Sequence, residues 1–445
     1  MVTTENIFLF KNLLFRKNAF LKYKRLQQND NLSLEELNEL NWRKRKKLVE
    51  FAYHNIPFYN NFYKSKNFHP DLLKSERDWK IVPSITKEMV RENFSDLTNS
   101  IISKRRHYLS STGGTSGKPL KVLHDKNDFL EVNSWRLMKW WNLPLAPNIA
   151  FVYRLFRSST FKIFLNDLMW FPTKRIFLDA TNVNEEKILK FLKKLTASKV
   201  SIVQGYTGAL NEVANYILSN NIKIKTVRAI WCTSSPLTEG IRKNLEKAFE
   251  GEVYDQYGSG EIYWIATECS AHSGLHIHSD IRHIDIVNDN GEILENGTLG
   301  NVVVTDLENH LFPIIKYQNG DLSLIKKEKC NCGRPYPLLE KIYGRVTDHI
   351  RLPNGGFIAG DYFTTIFDDH PDEIDSFQVH QKEDYSLDIR YKAGEHHNLN
   401  KAVINKIEST IKLKTGGQIE VRMNKVDNVM NNLAGKSRFV ISDIK

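Results

Sequence analysis

Only four cysteines occur in 445 residues. That is too few for the disulfide framework of a small secreted scaffold. No run approaches the ~20 apolar residues of a membrane-spanning helix. The N-terminal apolar patch Ile7-Phe8-Leu9-Phe10 is cut by Lys11, and basic residues follow it, the reverse of a secretory signal's order. Internal repeats, low-complexity tracts and nucleic-acid recognition motifs are all missing, so no nucleic-acid partner is expected. These absences point to a cytoplasmic globular protein.

What is present is ordinary in amount and uneven in placement. A hydrophobic share of 41% and a charged share of 26% suit a soluble fold, and the length leaves room for two or three domains. Of the net charge of +11, nine units lie in residues 1–110, which hold 21 Lys/Arg against 12 Asp/Glu. The run Arg43-Lys44-Arg45-Lys46-Lys47 is the extreme. It fits either a solvated helix face or attraction to an anionic partner, a membrane surface or a glycan.

Periodicity gives the elements. Residues 5–100 read as mostly helical, with Ser33-Leu34-Glu35-Glu36 as a helix start and Pro83-Ser84-Ile85-Thr86-Lys87 as another. Leu120–His124 reads as a strand and Asn127–Trp141 as a helix. Residues 149–305 alternate strand and helix: strands at Ile149–Tyr153, Val200–Gln204, Ala229–Thr233 and Val253–Tyr257, helices at Glu185–Thr196, Ala209–Asn220 and Ile241–Phe249. Such alternation predicts an α/β fold with mostly parallel sheets flanked by helices. From His276 to Thr305 the turns Asn288–Gly291 and Glu295–Gly297 predict hairpins. Beyond Gly344, strands at Ser376–His380, Tyr385–Tyr391 and Gln418–Met423, with a helix near Asn398–Lys414, make a small α+β unit. The expected division is a large domain, 1–343, and a mobile C-terminal lid, 344–445.

The densest run of small and hydroxylated residues is Ser110-Ser111-Thr112-Gly113-Gly114-Thr115-Ser116-Gly117-Lys118-Pro119. Glycines let backbone N–H groups converge on an anion, and the hydroxyls and Lys118 add donors and charge. It reads as a phosphate cradle. A Walker P-loop is excluded, because only three residues separate Gly113 from Gly117 where that motif needs four, and Pro119 stands where the magnesium-binding hydroxyl belongs. Alone, the run suits a flexible surface loop equally well.

Four more stretches change its meaning: Tyr257-Gly258-Ser259-Gly260-Glu261, Tyr317-Gln318-Asn319-Gly320-Asp321, Tyr343-Gly344-Arg345-Val346-Thr347-Asp348, and Asn432–Arg438 with Gly435-Lys436. In this order and at these separations they resemble the adenylate-forming acyl-ligase superfamily, over nearly the whole chain from about residue 40. The pairing of His54–Tyr59 with Pro83–Lys87, together with Gly274–Ile277 and Cys330-Asn331-Cys332, is similar to the phenylacetate–CoA ligase-like and capsular-polysaccharide-biosynthesis branch.

The resemblance implies roles. Carboxylate attack on the α-phosphate of ATP brings two anions together, so cations and N–H donors must come from the protein. Ser111, Thr112, Gly113, Gly114, Thr115 and Lys118 would hold the β,γ-phosphates. Glu261 would bind Mg²⁺, a hard ion suited to a carboxylate. Tyr257, Gly258 and Ser235 would line the adenine and carboxylate end, and Asp321 would accept from the ribose. Lys436 would arrive with the lid, and Arg345 would mark the hinge. Two positions depart from the family pattern: Gly260 replaces a usual hydroxyl, and Thr347 replaces the first hinge aspartate. The acid's pocket is expected near Tyr206, Ser234 and Trp264. The acceptor would be CoA, another thiol, an amine or a sugar hydroxyl. A non-catalytic nucleotide-binding or membrane-surface protein on the same fold is the rival reading.

Cys269, His276, Cys330 and Cys332 form a separate constellation of soft sulfur and imidazole, the set that holds Zn²⁺ tetrahedrally. Related ligase-like proteins carry similar Cys/His positions. His272 and His278 are rival fourth ligands, and Cys232 reads as a plain buried cysteine.

Overall fold

The computed structural model describes residues 4–104, 106–112, 120–153, 167–168, 170–180, 183–343, 349–354, 357–359, 363, 366–367, 374–393, 401–427, 429 and 440–444. It divides into two compact units. The first is assembled from residues 1–147, 163–174 and 254–342, the second from 148–162, 175–253 and 343–445. No helix among the described residues is long and apolar enough to cross a membrane.

The first unit opens with four helices, α1 (Thr4–Phe15), α2 (Lys17–Asn29), α3 (Leu34–Asn55) and α4 (Pro57–Ser65). Ser33 starts α3 with a capping box: its Oγ accepts from Glu36 N at 3.1 Å, and Glu36 accepts from Ser33 N at 2.8 Å. Pro57 cannot supply an interior N–H, so α3 ends before it and α4 begins on it. The buried stripe of α3 is Leu37, Asn41, Arg45, Leu48, Val49 and Ala52. Its two polar members each bond a segment outside the helix, although Asn41 Oδ1 and Arg45 Nε stay buried without a hydrogen-bond partner among the described residues. Asn41 Nδ2 donates to Ser279 O (2.6 Å) and Arg282 O (2.8 Å). Arg45 pairs with Glu76 and lies over the Trp42 and Trp79 rings.

The basic run of α3 is therefore not one solvated face. Arg45 is buried and Lys44 is anchored on Glu308 and Asp280 O, while Arg43 and Lys47 point outward. The first unit also holds a three-stranded antiparallel sheet (Arg282–Val287, Gly300–Asp306, Tyr317–Ser323), the antiparallel strands Ala266–Glu268, Leu275–Ile277 and Leu338–Leu339, and the part of strand Glu252–Tyr257 from Tyr254 on. Its core runs from Leu48 and Tyr59 through Trp79 and Ile85 to Val302, Phe312 and Tyr317.

The second unit contains four parallel strands in the order Ala229–Thr233, Ile202–Tyr206, Ile149–Tyr153, Arg175–Asp179. Helices Glu185–Ala197, Thr207–Ser219 and Glu239–Phe249 cover them around Val152, Val203, Ile230 and Leu245. This is the α/β layering that the alternation predicts. Gly205 permits the close pairing, since a Cβ there would lie 2.6 Å from Val152 O. The C-terminal part has its own core, including Val379, Ile389 and Ile411. There a four-stranded sheet (Val421–Lys425, Leu387–Ala393, Ile374–Gln381, Val440–Ser442) accompanies helix Lys401–Lys414.

Elements that differ from the sequence reading include the strand Arg175–Asp179, which was not expected, and the first helix after the glycine run. The helix expected over Asn127–Trp141 begins only at Val132, because Phe129 takes a left-handed conformation (φ 45°).

Candidate active site

The strand Glu252–Tyr257 ends in a tight loop before Ala266–Glu268. Ser259 N donates to Ile262 O (2.9 Å), Ile262 N to Ser259 Oγ (3.1 Å), and Ile265 N to Tyr257 O (3.1 Å). Gly258 is required by this turn: a Cβ would sit 2.8 Å from Gln256 Nε2 and 3.2 Å from Trp264 N. The loop carries Glu261, which is buried and accepts from the Tyr317 hydroxyl at 3.3 Å.

Two separate motifs meet on Tyr257. Its hydroxyl donates to Asp321 Oδ2 at 2.7 Å. Asn319 Nδ2 donates to the same carboxylate oxygen at 3.0 Å and also to the Tyr257 hydroxyl. Asp321 N returns a bond to Asn319 Oδ1 at 3.1 Å, and Gly320 at φ 81° makes the bend between them. A carboxylate so held keeps a fixed orientation.

The hairpin stem His107–Thr112 with Leu120–Asp125 is antiparallel and in register to its last pair, Thr112↔Leu120. It thus brackets the glycine run. The stem is tied to the Glu261 loop by His124 Nε2 to Gly260 O (3.3 Å), Ser110 Oγ to the Tyr263 hydroxyl (3.1 Å), and stacking of His124 between Tyr108 and Tyr263. Arg282 Nη2 donates to Tyr263 O at 2.7 Å and Nη1 to Asp306 at 2.6 Å, fixing the loop from behind. Burial lowers the His124 pKa, so the ring packs neutral. His124, Tyr263 and Asn319 are contributors that sequence reasoning missed.

The remaining expected residues fall in three places. Gly113, Gly114, Thr115, Lys118, Arg345, Thr347, Asp348 and Lys436 lie outside the described residues, and Ser111 and Thr112 are described only as strand backbone. Trp264 belongs to the first unit, at φ 58°. Tyr206, Ser234 and Ser235 belong to the second, at the C-terminal ends of adjacent parallel strands, where α/β sheets bind ligands. There Tyr206 meets the Tyr153 ring edge-on at 4.9 Å. Thr207 Oγ1 donates to Thr233 O (3.3 Å) and Ser235 O (3.2 Å), and Ser234 takes φ 75°.

The Cys/His group assembles in the first unit. The ligand atoms of Cys269, His276, Cys330 and Cys332 all lie within 4.8 Å of one another. Cys269 Sγ is 3.6 Å from Cys330 Sγ, and Cys332 Sγ is 3.3 Å from His276 Nε2. The edge of a tetrahedron with metal–sulfur arms of ~2.3 Å is ~3.8 Å, a spacing close to the two distances of 3.6 and 3.3 Å, so the donor set suits zinc. His276 Nδ1 lies 3.1 Å from Tyr336 O. Donating its hydrogen there leaves Nε2 as the lone pair facing the sulfurs. Burial pushes the Cys269 thiol up to about 12, so a thiolate at that depth calls for a cation.

His278 is not the fourth ligand. Its Nδ1 accepts from Arg136 (2.7 Å) and its Nε2 donates to Thr267 Oγ1 (3.0 Å), so both ring nitrogens are used. His272 lies by Glu268 instead, at 3.5 Å. Cys232 is buried in the strand Ala229–Thr233.

Known proteins are similar to this chain in sequence and in fold. The model of the CapK C-terminal domain matches residues 350–443. Protein CapK of Staphylococcus aureus is 23% identical, with 98% of each chain covered. Phenylacetate-coenzyme A ligase of Thermus thermophilus is 24% identical, with 81% of each covered. Among solved structures, 2-hydroxyisobutyryl-CoA ligase in the postadenylation state, in complex with R3-HIB-AMP, superposes with a TM-score of 0.78 at 18% identity. The match covers 94% of this chain and 92% of that one. At that identity the likeness is one of fold.

Proposed function

We propose that this chain, which is similar to CapK and to the phenylacetate-coenzyme A ligases, is an adenylate-forming acyl-ligase that activates a carboxylic acid with ATP. The carboxylate oxygen attacks the α-phosphorus, a P–O bond forms, and the bond to pyrophosphate breaks. The acyl group of the resulting acyl-adenylate then passes to an acceptor nucleophile and AMP leaves. CoA is the acceptor the relatives' names favour. An amine or hydroxyl on a surface-polysaccharide sugar is the alternative that the likeness to CapK brings.

The observation that carries this reading is the convergence of Tyr257, Asn319 and Asp321 beside the Glu261 loop, with the stem of the glycine hairpin bonded to that loop. Asp321 would accept from the ribose hydroxyls and Tyr257 would face the adenine. The glycine run, through Ser111, Thr112, Thr115 and Lys118, would grip the departing pyrophosphate. Glu261 would hold Mg²⁺, which offsets charge between phosphate oxygens. Lys436 would supply positive charge to the reacting carboxylate and α-phosphate when residues 344–445 close as a lid. Tyr206 and Ser234, at the ends of adjacent parallel strands of the second unit, would bound the acid. Cys269, His276, Cys330 and Cys332 would hold a structural Zn²⁺ with no open position.

The test is ATP–pyrophosphate exchange against a pooled library of carboxylic acids, deconvoluted to single acids. Exchange stimulated by one acid class supports the reading and identifies the substrate. ATP binding with no exchange for any acid would overturn it and leave a nucleotide-binding protein, as Gly260 and Thr347 would then explain.

A further inference from the structure

We propose that the N-terminal helices bind an anionic phospholipid surface. Helix α1 turns one face inward, where Phe8 meets Trp135 edge-on at 4.9 Å and Asn12 is buried. The opposite face is also apolar. Phe10, Leu13 and Leu14 recur at i, i+3 and i+4, and Phe15 ends the helix. Their exposures are 62%, 45%, 57% and 80%. Single exposed apolar residues are normal, but Phe10, Leu13 and Leu14 on one face, with Phe15 exposed at the helix end, leave apolar surface that needs a partner.

A second segment extends the patch. Lys11 Nζ donates to Phe171 O, and Lys11 is one turn before Leu14 and Phe15. The chain around that carbonyl exposes Leu168, Trp170 and Phe171. Both segments belong to the first unit.

Charge identifies the occupant. Lys17, Lys24 and Arg25 on the following helix α2, and Lys174 three residues after Phe171, are exposed. Next along α2, a cleft of about 830 Å³ is lined by Lys22, Arg25, Lys44 and Lys47 with Leu21 and Phe129. Glu308 draws in Lys22 at 2.6 Å, Lys44 at 3.1 Å and Arg25 at 3.4 Å. The cleft's other acid, Asp128, is pushed up to about 8 by burial and the nearby Asp306, so it offsets little of this charge at neutral pH. Exposed phenylalanine, leucine and tryptophan together with lysine and arginine are what an interfacial helix offers to lipid. The cations meet anionic headgroups while the apolar side chains enter the acyl boundary. This surface is independent of the adenylation reading.

Co-sedimentation of the full chain with phosphatidylcholine vesicles, with and without phosphatidylglycerol, tests it. Wild type is expected to pellet with the anionic vesicles and to be released by salt. Phe10→Ser with Phe15→Ser should lower partition about tenfold. Lys24→Glu with Lys47→Glu should remove the preference for phosphatidylglycerol. Both variants should keep the wild-type circular dichroism and thermal midpoint. Wild type left in the supernatant, or equal pelleting with neutral vesicles, overturns the proposal. So does a dimer by light scattering that the Phe10/Phe15 variant abolishes.

Discussion

Tyr257 donates its phenolic hydrogen to Asp321 Oδ2 at 2.7 Å, joining two motifs 64 residues apart. The tyrosine orients the carboxylate, and the carboxylate would bind ribose, so the two substitutions should differ in kind. Tyr257→Phe removes one hydrogen bond, worth ~1 kcal/mol, and should raise the KM for ATP about fivefold with little change in kcat. Asp321→Ala removes two hydrogen bonds to a charged acceptor, at ~1.5 kcal/mol each, and should cost about 100-fold in kcat/KM for ATP. Exchange kinetics at varied ATP give both numbers. An unchanged KM in Asp321→Ala would remove the ribose assignment.

Lys436→Ala should reduce carboxylate-dependent pyrophosphate exchange by about 10²–10³, the scale of losing one charge that stabilises a transition state. The thermal midpoint should stay within about 2 °C of wild type. Consumption of a chemically prepared acyl-adenylate should persist, because the proposed role is confined to the first half-reaction. Normal exchange in this variant would sink the lysine assignment.

Untagged protein should contain about one zinc per chain by mass-spectrometric metal analysis. Cys330→Ser should lower that ratio and the thermal midpoint together, since binding energy at a closed site is folding energy. Cys232→Ser should leave the metal content untouched. A ratio near zero in freshly prepared wild type would end the claim.

Asp128 makes stability depend on pH in the direction opposite to a salt-bridged acid. Burial first, then Asp306, raises its carboxyl to about 8. The folded protein therefore holds this proton more tightly than the unfolded chain. Stability is lost as pH rises from the ordinary carboxylate range of ~4 towards 8. Asp128→Asn should gain a few degrees of thermal midpoint over wild type near pH 8.5 and nothing near pH 4. An equal difference at both pH values would show that the carboxyl is not titrating in this way.

The parallel strands were legible because buried runs such as Ile149–Tyr153 and Ala229–Thr233 are continuous, β-branched and bounded by turns. The strand Arg175–Asp179 was missed, as its partly exposed Arg-Ile-Phe-Leu-Asp carries no such pattern. Phe129 stops the helix before Val132 through a left-handed backbone that phenylalanine does not announce. At the site, the motifs carrying Tyr257, Glu261 and Asp321 stood out because their order and separations resemble those of the adenylate-forming acyl-ligases. His124 acts only after distant segments pack, so no spacing points to it, whereas Asn319 sits inside the Tyr317–Asp321 motif and bonds Asp321 two residues on. His276 and His278 are two residues apart, and the choice between them as a ligand is settled by Arg136, 142 residues away from His278.

The buried stripe of α3 has a consequence for how the chain is made. Asn41 finds its acceptors on Ser279 and Arg282, 238 and 241 residues later. While a ribosome is still synthesising the intervening residues, α3 carries a polar core with nothing to bond. The second unit's parallel strands are complete by residue 233 and can close earlier. The first unit must wait until its last segment emerges, at a rate of about 5–20 residues per second. For many seconds the nascent chain therefore exposes the Leu37–Ala52 face, a natural client surface for chaperones.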